Sequence, residues 1–423
     1  MGSIVNKINF LKVGEFSEKI LIFLIFLFSF CLSFDSDINK VILKIMFSLW
    51  IVTFNFKNIL YFIKNNKLFL FIIIFALWVF ATCIFTQVIN YSYEQFFKYF
   101  LIPILIFSTT IKIENIKYII SAFLLGIFIN EIISYGIYFE IIKSQFLGFD
   151  IVGNKYNPVP FLPSHMEYTL FLSLAIILSI FSFFYKNNKI IKSILLIFII
   201  TMTTNLFLTT GRTGQFTLLG TLCILLIIYY RHNYKIILAG FSLILIIFSL
   251  AFFFSGNTNT RLKQGYSDIV KVINDKEYNT SFGIRLSSYV LIPEIIKDEN
   301  FNILYGIGYS RTDMIIQKIQ VEKFGAFMER QLGHLHNSYI TIFAGTGIIG
   351  LVLFFLIWYQ IFKIKIEDIY FNYIRYSFLF IIVFGSLTEN MFRQKEVMML
   401  SAIFISIIIV ISSKYIKQGK EKY

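Results

Sequence analysis

The stretch LFLFIIIFALWVFATCIFT, residues 68–86, carries no charged side chain and decides the fold class. A helix that spans the ~30 Å hydrocarbon layer of a bilayer needs roughly 20 mainly apolar residues. Polar and apolar residues do not alternate along this stretch, as they do in the strands of outer-membrane barrels. The stretch therefore predicts a transmembrane helix.

The whole chain of 423 residues has the same character. Hydrophobic residues make up 57% of it and charged residues 15%, and the mean hydropathy is +0.75. A soluble domain needs more polar surface than this composition can supply. We expect an all-α, polytopic membrane protein with about twelve transmembrane helices.

The apolar runs define those spans, and no small-residue cleavage site follows the first run. The first run is therefore predicted to be a retained helix and not a signal peptide. The predicted spans are residues 20–34, 38–56, 68–86, 97–111, 116–138, 168–185, 193–209, 214–230, 236–254, 338–362, 376–388 and 397–413.

The distribution of lysine and arginine predicts the orientation, because both residues accumulate in short cytoplasmic loops. One set of alternate loops includes Lys57, Lys64, Lys67, Lys112, Lys117, Lys186, Lys189, Lys192, Arg231, Lys235, Lys363 and Lys365. The other set has only Lys98, Lys143, Lys155, Arg212, Arg393 and Lys395. Both termini are thus predicted to be cytoplasmic, and the net charge of +14 reflects this asymmetry and not nucleic-acid binding.

One long polar interruption, residues 255–337, falls on the outer side of this topology. It divides the chain into residues 1–254 with helices one to nine, the outer loop subdomain 255–337, and residues 338–423 with three helices and a cytoplasmic tail. Its segment SFGIRLSSYVLIPEIIK, residues 281–297, has apolar residues at helical spacing. We expect short helices there that lie over the membrane.

The stretch GHLHNSYITIFAGTGIIG, residues 333–350, places His336 before Asn337 and Ser338, which are both good N-caps for the following helix. A helix N-terminus favours a phosphate and keeps a nearby imidazole neutral, as a general base must be. The alternative is that His336 only caps the helix at the interface. Gly347 and Gly350 are interpreted as sites of close helix packing.

Two arginines are predicted on the same outer side. Arg212 lies in the short loop LTTGRTGQF, and Arg285 begins the amphipathic segment of the long loop. The guanidinium group matches the geometry of phosphate oxygens, so two arginines and a helix end could hold a diphosphate. The alternatives are snorkelling of Arg212 to the interface and an ordinary loop ion pair for Arg285.

These residues carry a resemblance to a family. His336 and Asn337, nine further residues, and then Gly347 and Gly350 form a pattern that resembles the signature of bacterial O-antigen ligases, a group that includes O-antigen polymerases and protein O-oligosaccharyltransferases. The turn TGRTG and the segment SFGIRLSSY resemble the two arginine regions of that family. The resemblance covers most of the chain, but the loop between Arg285 and Gly333 follows no family pattern.

The resemblance implies transfer of a glycan from undecaprenyl diphosphate to a sugar hydroxyl of lipid A-core, at the periplasmic face of the bacterial inner membrane, in lipopolysaccharide biosynthesis. It implies that His336 is the general base and that Arg212 and Arg285 bind the departing diphosphate, with no metal or other cofactor. The implied partners are the lipid-linked donor, lipid A-core and membrane lipids, with no nucleic acid. We expect four further residues to bind substrate: His334, Asn337, Arg311 and His165.

Other functions fit parts of the pattern. An O-antigen polymerase would use the same donor and differ only in the acceptor, and a protein O-oligosaccharyltransferase is a less favoured variant. A polytopic transporter or flippase belongs to a different class, but transporters place charges near the membrane midplane, where this chain has mainly Glu131. A metal-binding role for Asp35 and Asp37 is disfavoured against a solvated loop.

Overall fold

A computed structural model of the chain describes residues 2–34, 36–53, 55–89, 91–143, 145–146, 148–162, 164–254, 256–325 and 335–420. These residues are almost entirely helical and include one antiparallel pair of short strands, β1 (Gln145–Phe146) and β2 (Phe149–Asp150). The first helices are α1 (Gly2–Cys31), α2 (Ser36–Val52), α3 (Asn58–Asn65), α4 (Lys67–Phe85), α5 (Tyr91–Phe96), α6 (Ile102–Thr110), α7 (Ile116–Tyr138), α8 (His165–Tyr185), α9 (Lys189–Leu208) and α10 (Arg212–Tyr230). The others are α11 (Tyr234–Phe254), α12 (Gly256–Asp275), α13 (Ser281–Val290), α14 (Ile292–Lys297), α15 (Thr312–Phe324), α16 (Ser338–Lys363), α17 (Ile369–Thr388) and α18 (Lys395–Lys420).

The stretch that decides the fold class forms helix α4. The Asn66 side chain caps it by accepting a hydrogen bond from the backbone N–H of Phe69 at 3.1 Å. The Asn66 amide also donates to Ser412 Oγ at 2.8 Å, which ties the start of α4 to the end of α18. The side chain of Asn66 thus both caps α4 and connects two parts of the chain that are distant in sequence.

Every predicted span overlaps a helix, which confirms the all-α, polytopic membrane fold. Among the described residues, eight helices are long and apolar enough to cross a membrane. The span predicted at 97–111 is divided, because a π-helical segment, Phe97–Leu101, precedes α6. The number of spans, about twelve, stays a prediction.

Helix α18 lies at the centre of the bundle. Its residues from Val397 to Ile409 are buried on all sides, as expected of a helix that is apolar around its whole circumference. Phe404 stacks on Phe378 of α17 with ring centroids 5.4 Å apart. The surrounding helices α6 and α17 therefore have a fixed support, and the loop that precedes α18 is held at one end of the bundle.

The predicted site residues gather at that end. The N-termini of α8, α10 and α16 meet the C-termini of α9 and α17 there, and α8 packs along α10, which packs along α17. The connections 186–188, 231–233 and 364–368, each with one basic residue (Lys186, Arg231 and Lys365), lie at the opposite ends of these helices. The arrangement of charged residues expected from the sequence therefore corresponds to two distinct ends of the bundle.

The predicted outer segment contains α12 to α15. Helices α13 and α14 occupy the amphipathic stretch 281–297, as expected. The 20-residue helix α12 is not among the segments predicted above, although its apolar residues Leu262, Tyr266, Ile269 and Ile273 recur at helical spacing. A separate small core holds α14 and α15 against the first turns of α16, and its members include Leu291, Ile295, Ile315, Ile316 and Ile340. The division of the chain at residues 255–337 stays a prediction.

The two glycines of the signature have different roles. Gly350 packs against Trp78 of α4, and Trp78 Nε1 donates to the Thr346 carbonyl at 2.9 Å, so the packing interpretation is correct for Gly350. Gly347 has φ +66° and interrupts the helical geometry of α16. A Cβ there would lie 2.3 Å from the Leu304 backbone, so Gly347 admits a loop of the outer segment and not a neighbouring membrane helix.

Candidate active site

His336 lies directly before α16 and contacts a buried carboxylate. Its Nδ1 is 2.9 Å from Oε2 of Glu389, the residue that follows α17. Its backbone N–H donates to Ser288 Oγ of α13 at 2.9 Å, and its side chain is 16% exposed. Glu389 therefore holds the imidazole and Ser288 holds the backbone, while the imidazole still reaches the surface.

Glu389 is ionised in this setting. Its side chain is fully buried. Burial acts to raise the pKa of the carboxyl, but the hydrogen bond with His336 and the positive charge of Arg285 outweigh burial and hold the pKa of Glu389 below its ordinary value. Because an ionised carboxylate only accepts hydrogen bonds, Nδ1 of a neutral His336 carries the proton, and Nε2 is left as the acceptor.

Arg285 binds the other oxygen of the same carboxylate. Its Nη2 lies 2.5 Å from Glu389 Oε1, and its Nε donates to the Thr388 carbonyl at 3.3 Å. Its Nη1 donates to the carbonyl and the hydroxyl of Ser281, at 2.7 and 3.0 Å. Most of the guanidinium donors are thus engaged in fixing Glu389 and the start of α13.

Asn337 and Ser338 hold this group together. Asn337 caps α16, since its Oδ1 accepts from the Ile340 N–H at 3.0 Å, and its amide donates to the Tyr289 hydroxyl at 2.8 Å. Ser338 Oγ lies 3.0 Å from the Glu389 carbonyl and accepts from the Met391 N–H at 2.9 Å. Both side chains are buried, and they fix the end of α17 against the start of α16.

Arg212 is the first residue of α10, in the turn TGRTG. A Cβ on Gly211 would lie 2.3 Å from Thr169 Oγ1, and a Cβ on Gly214 would lie 2.4 Å from Thr169 Cβ. The two glycines therefore allow α10 to begin in close contact with α8. This contact places Arg212 at the mouth of the bundle, beside Gly265 of α12.

A polar cavity of about 360 Å³ opens beside Arg212. Its lining includes a second cation, Lys271 of α12, and Ser281, which is also hydrogen-bonded to Arg285. Asp268 contributes a carboxylate to the wall, where it accepts from the Phe282 N–H at 3.2 Å. The volume is in the range of small-ligand sites, which begin at about 300 Å³. The cavity is large enough for a diphosphate and connects the two predicted arginines through Ser281.

His165 lines an adjoining cavity of about 470 Å³ together with Asn157 and Thr210. Gln264 of α12 lies on the wall of both cavities. His165 begins α8, whose N-cap is Ser164. The structure thus brings His165 to the same end of the bundle as Arg212 but not into the group around Glu389.

The remaining predicted residues lie outside the group around Glu389 or outside the described residues. Arg311 precedes α15, and its Nη2 donates to Asn300 Oδ1 at 3.2 Å, so its contact lies within the outer segment. His334 lies outside the described residues, as does Asp35. Asp37 forms an exposed ion pair with Lys40.

Two residues of the site were missed in the sequence. Glu389 stands at the end of an apolar run, on the side where His336 was predicted, and an acidic residue at that position was the available signal. Lys271 belongs to a polar stretch with nearly balanced charge, where no pattern separates one lysine from another. Both residues reach the site only through tertiary contacts.

The arrangement can accept a proton next to an anion-binding cavity. A buried carboxylate that holds the Nδ1 proton orients the imidazole and stabilises the imidazolium that forms when Nε2 accepts a proton. Cationic side chains beside the cavity favour a ligand whose negative charge grows during the reaction. This pairing suits a transfer reaction with a hydroxyl nucleophile and an anionic leaving group.

Comparison with known proteins agrees with this chemistry. The family model described as O-antigen ligase matches residues 197–355, a segment that includes Arg212, Arg285 and His336. Glu389 lies beyond the matched segment. No match is found among curated proteins. The family supports a membrane enzyme of the ligase or polymerase type that uses lipid-linked glycans. The matched segment carries the signature histidine and supports a relationship of this chain to the O-antigen ligase family.

Proposed function

We propose that this protein is an O-antigen ligase that transfers a glycan from undecaprenyl diphosphate to a sugar hydroxyl of lipid A-core. The 2.9 Å contact between His336 Nδ1 and Glu389, beside the cavity at Arg212, is the observation that carries the proposal. In this proposal His336 is the base for the acceptor hydroxyl, and the cavity at Arg212 is the cationic site for the diphosphate. Both lie at one end of the bundle.

The acceptor hydroxyl attacks the anomeric carbon of the donor. His336 Nε2 takes the hydroxyl proton, while the bond from the anomeric carbon to the diphosphate oxygen breaks and its electron pair leaves with undecaprenyl diphosphate. Glu389 keeps the Nδ1 proton in place and balances the charge of the imidazolium. A general base of this kind contributes typically about 10²–10⁴-fold to the rate.

Arg212 and Lys271 bind the diphosphate in this proposal. The charge on the leaving group rises as the glycosidic bond breaks, and preorganised cations stabilise that charge. Arg285 remains a site residue, but its contacts give it the role of positioning Glu389 and, through Ser281, the cavity wall. Asn337 has a structural role as the cap of α16. We assign Arg311 to the surface that binds the acceptor glycan and His165 to the surface that binds the donor glycan.

The direct test is transfer by purified protein in vesicles. Undecaprenyl-linked glycan and lipid A-core are supplied with a chelator and without nucleotide, and the glycan on lipid A-core is measured. We expect ligation to proceed under these conditions. Extension of a second lipid-linked glycan instead would identify a polymerase, and activity lost on chelation would require a metal.

We expect mutation of Arg212 to impair transfer without loss of the folded protein. Arg212→Ala should lower turnover by about 10²–10³-fold, as removal of one preorganised donor at a developing charge typically does. Arg212→Lys should restore little, because an ammonium group cannot reproduce the guanidinium fork. Arg231→Ala, at the other end of α10, is the matched control and should retain full activity. Normal transfer by Arg212→Lys would refute the diphosphate contact.

We propose that the protein resides in the inner membrane with residues 255–337 in the periplasm and both termini in the cytoplasm. On a cysteine-free background, Lys297→Cys should react with a membrane-impermeant thiol reagent in intact spheroplasts, because Lys297 is exposed at the end of α14. Lys417→Cys should react only after the membrane is opened. The reverse labelling pattern would place the candidate site in the cytoplasm and contradict the proposed donor.

A further inference from the structure

The loop between α17 and α18 borders a second polar cavity, of about 320 Å³. Glu389 begins this loop, and Arg393 and Lys395 at its other end line the cavity with Ser92, Gln95 and Tyr309. Four residues of extended chain span at most roughly 14 Å, so Arg393 lies within that backbone distance of Glu389. The cavity is therefore close to His336 and distinct from the one at Arg212.

The two ends of this loop contact different parts of the protein. Its first residue, Glu389, faces His336 and Arg285. Phe392 packs on Phe354 of α16 with ring centroids 5.1 Å apart, and the Tyr309 hydroxyl donates to the Phe392 carbonyl at 3.4 Å. A fixed aromatic residue, which also lines the second cavity, thus lies in the chain between Glu389 and the two cations.

The charges on the cavity wall favour an anion. Arg393 is held by an ion pair with Asp313 and donates to Ser92 Oγ at 3.2 Å. Within the described chain, Lys395 has no carboxylate at ion-pair distance, although Asp37 acts on it electrostatically from an exposed position. Lys395 also begins α18, whose N-terminus adds positive partial charge. Asp313 neutralises Arg393, whereas no carboxylate among the described residues pairs with Lys395. The positive charge of Lys395 therefore faces the cavity, beside the amide of the buried Gln95.

We propose that this second cavity binds a phosphate or diphosphate group of the acceptor glycolipid and so positions the acceptor hydroxyl at His336. The inference rests on the proposed function, in which the donor diphosphate occupies the cavity at Arg212. Two separate cationic cavities at the end of the bundle that holds the base match a reaction in which donor and acceptor both carry phosphate. Lys395 supplies the charge, while Arg393 and Gln95 supply directional hydrogen bonds.

The test compares Lys395→Gln with the wild-type chain in zwitterionic vesicles. A hydrogen bond to a charged group contributes about a factor of ten or more to affinity, so the KM for phosphorylated lipid A-core should rise at least about ten-fold. The KM for the undecaprenyl-linked donor and kcat at saturating acceptor should stay within about two-fold. Lys98→Gln is the matched control, because Lys98 is exposed, pairs with Glu94 and lies next to the α5 wall of the cavity without lining it. An unchanged acceptor KM, or a raised donor KM, would overturn the proposal.

A second arm removes the phosphate from the substrate. Wild-type protein with enzymatically dephosphorylated lipid A-core should show the raised KM of Lys395→Gln, and the variant should show no further loss with that acceptor. If the substitution and the dephosphorylation each raise the acceptor KM and the two increases multiply when they are combined, Lys395 does not contact the phosphate. A rise in the wild-type acceptor KM in phosphatidylglycerol vesicles, absent from Lys395→Gln, would show that bulk lipid headgroups fill the cavity and would overturn the acceptor assignment.

A binding measurement separates this inference from the proposed function. Native mass spectrometry without donor should show weaker retention of phosphorylated lipid A-core by Lys395→Gln than by wild type. Such a difference supports the acceptor site even if no transfer to lipid A-core is seen. Equal retention by both proteins would refute the site even if wild-type ligation is active.

Discussion

Replacement of His336 by alanine is expected to lower glycan transfer by about 10²–10⁴-fold, because the acceptor hydroxyl then loses the base that takes its proton. Donor binding should persist, since Arg212 and Lys271 lie in a separate cavity. The loss should therefore appear in kcat, measured in the vesicle assay with both substrates at saturation.

His336→Asn separates catalysis from capping. Asparagine is a good residue at a helix N-terminus, and the backbone hydrogen bond from residue 336 to Ser288 does not depend on the side chain. The variant should fold with a thermal midpoint close to that of the wild type and still fail in transfer. His232→Ala, in the loop at the other end of α10, is a histidine control that should be fully active. Full activity of His336→Asn would leave His336 with no role in proton transfer.

Glu389→Gln is expected to produce the second large loss. The amide has the shape of the carboxylate but cannot stabilise an imidazolium, and replacement of the carboxylate costs up to about 10⁴-fold in serine-hydrolase triads. Glu389→Asp should retain part of the activity, because the charge remains although the Nδ1 contact lengthens. Glu294→Gln removes a carboxylate from an exposed ion pair with Lys323 in the outer segment and should leave transfer unchanged.

The free energy of unfolding of Glu389→Gln should also depend on pH differently from that of the wild type. The pKa of Glu389 lies below its ordinary value of 4.5 in the folded protein. The carboxylate therefore contributes stability that is fully present above about pH 4.5 and is lost as the pH falls through the lower folded pKa. The difference in unfolding free energy between wild type and Glu389→Gln should be constant near neutral pH and shrink in acid. A difference that does not change down to acid pH would mean that Glu389 is not ionised in the folded protein.

The fold class and the candidate histidine could be read from the sequence. An uncharged run such as residues 68–86 has only one stable state in a bilayer, because a helix satisfies all backbone hydrogen bonds within itself. The signature around His336 was equally local, since Asn337 caps a helix through contacts within a few residues. Lysine asymmetry then predicted that Arg212, Arg285 and His336 share one side, and all three lie at one end of the bundle.

Only the tertiary structure decided what surrounds these residues. Glu389 is 53 positions from His336 and 104 from Arg285, and no local pattern connects residues at such separations. The helix α12 carries Lys271 to the cavity, and the helical spacing of its apolar residues predicts a helix but not the neighbours against which it packs. Gly347 looked like a packing glycine, but its positive φ comes from a loop that enters α16 from the outer segment. Local hydrogen bonding and burial thus determined the helices and the base, whereas long-range packing determined the partner of that base and the charges of its two cavities.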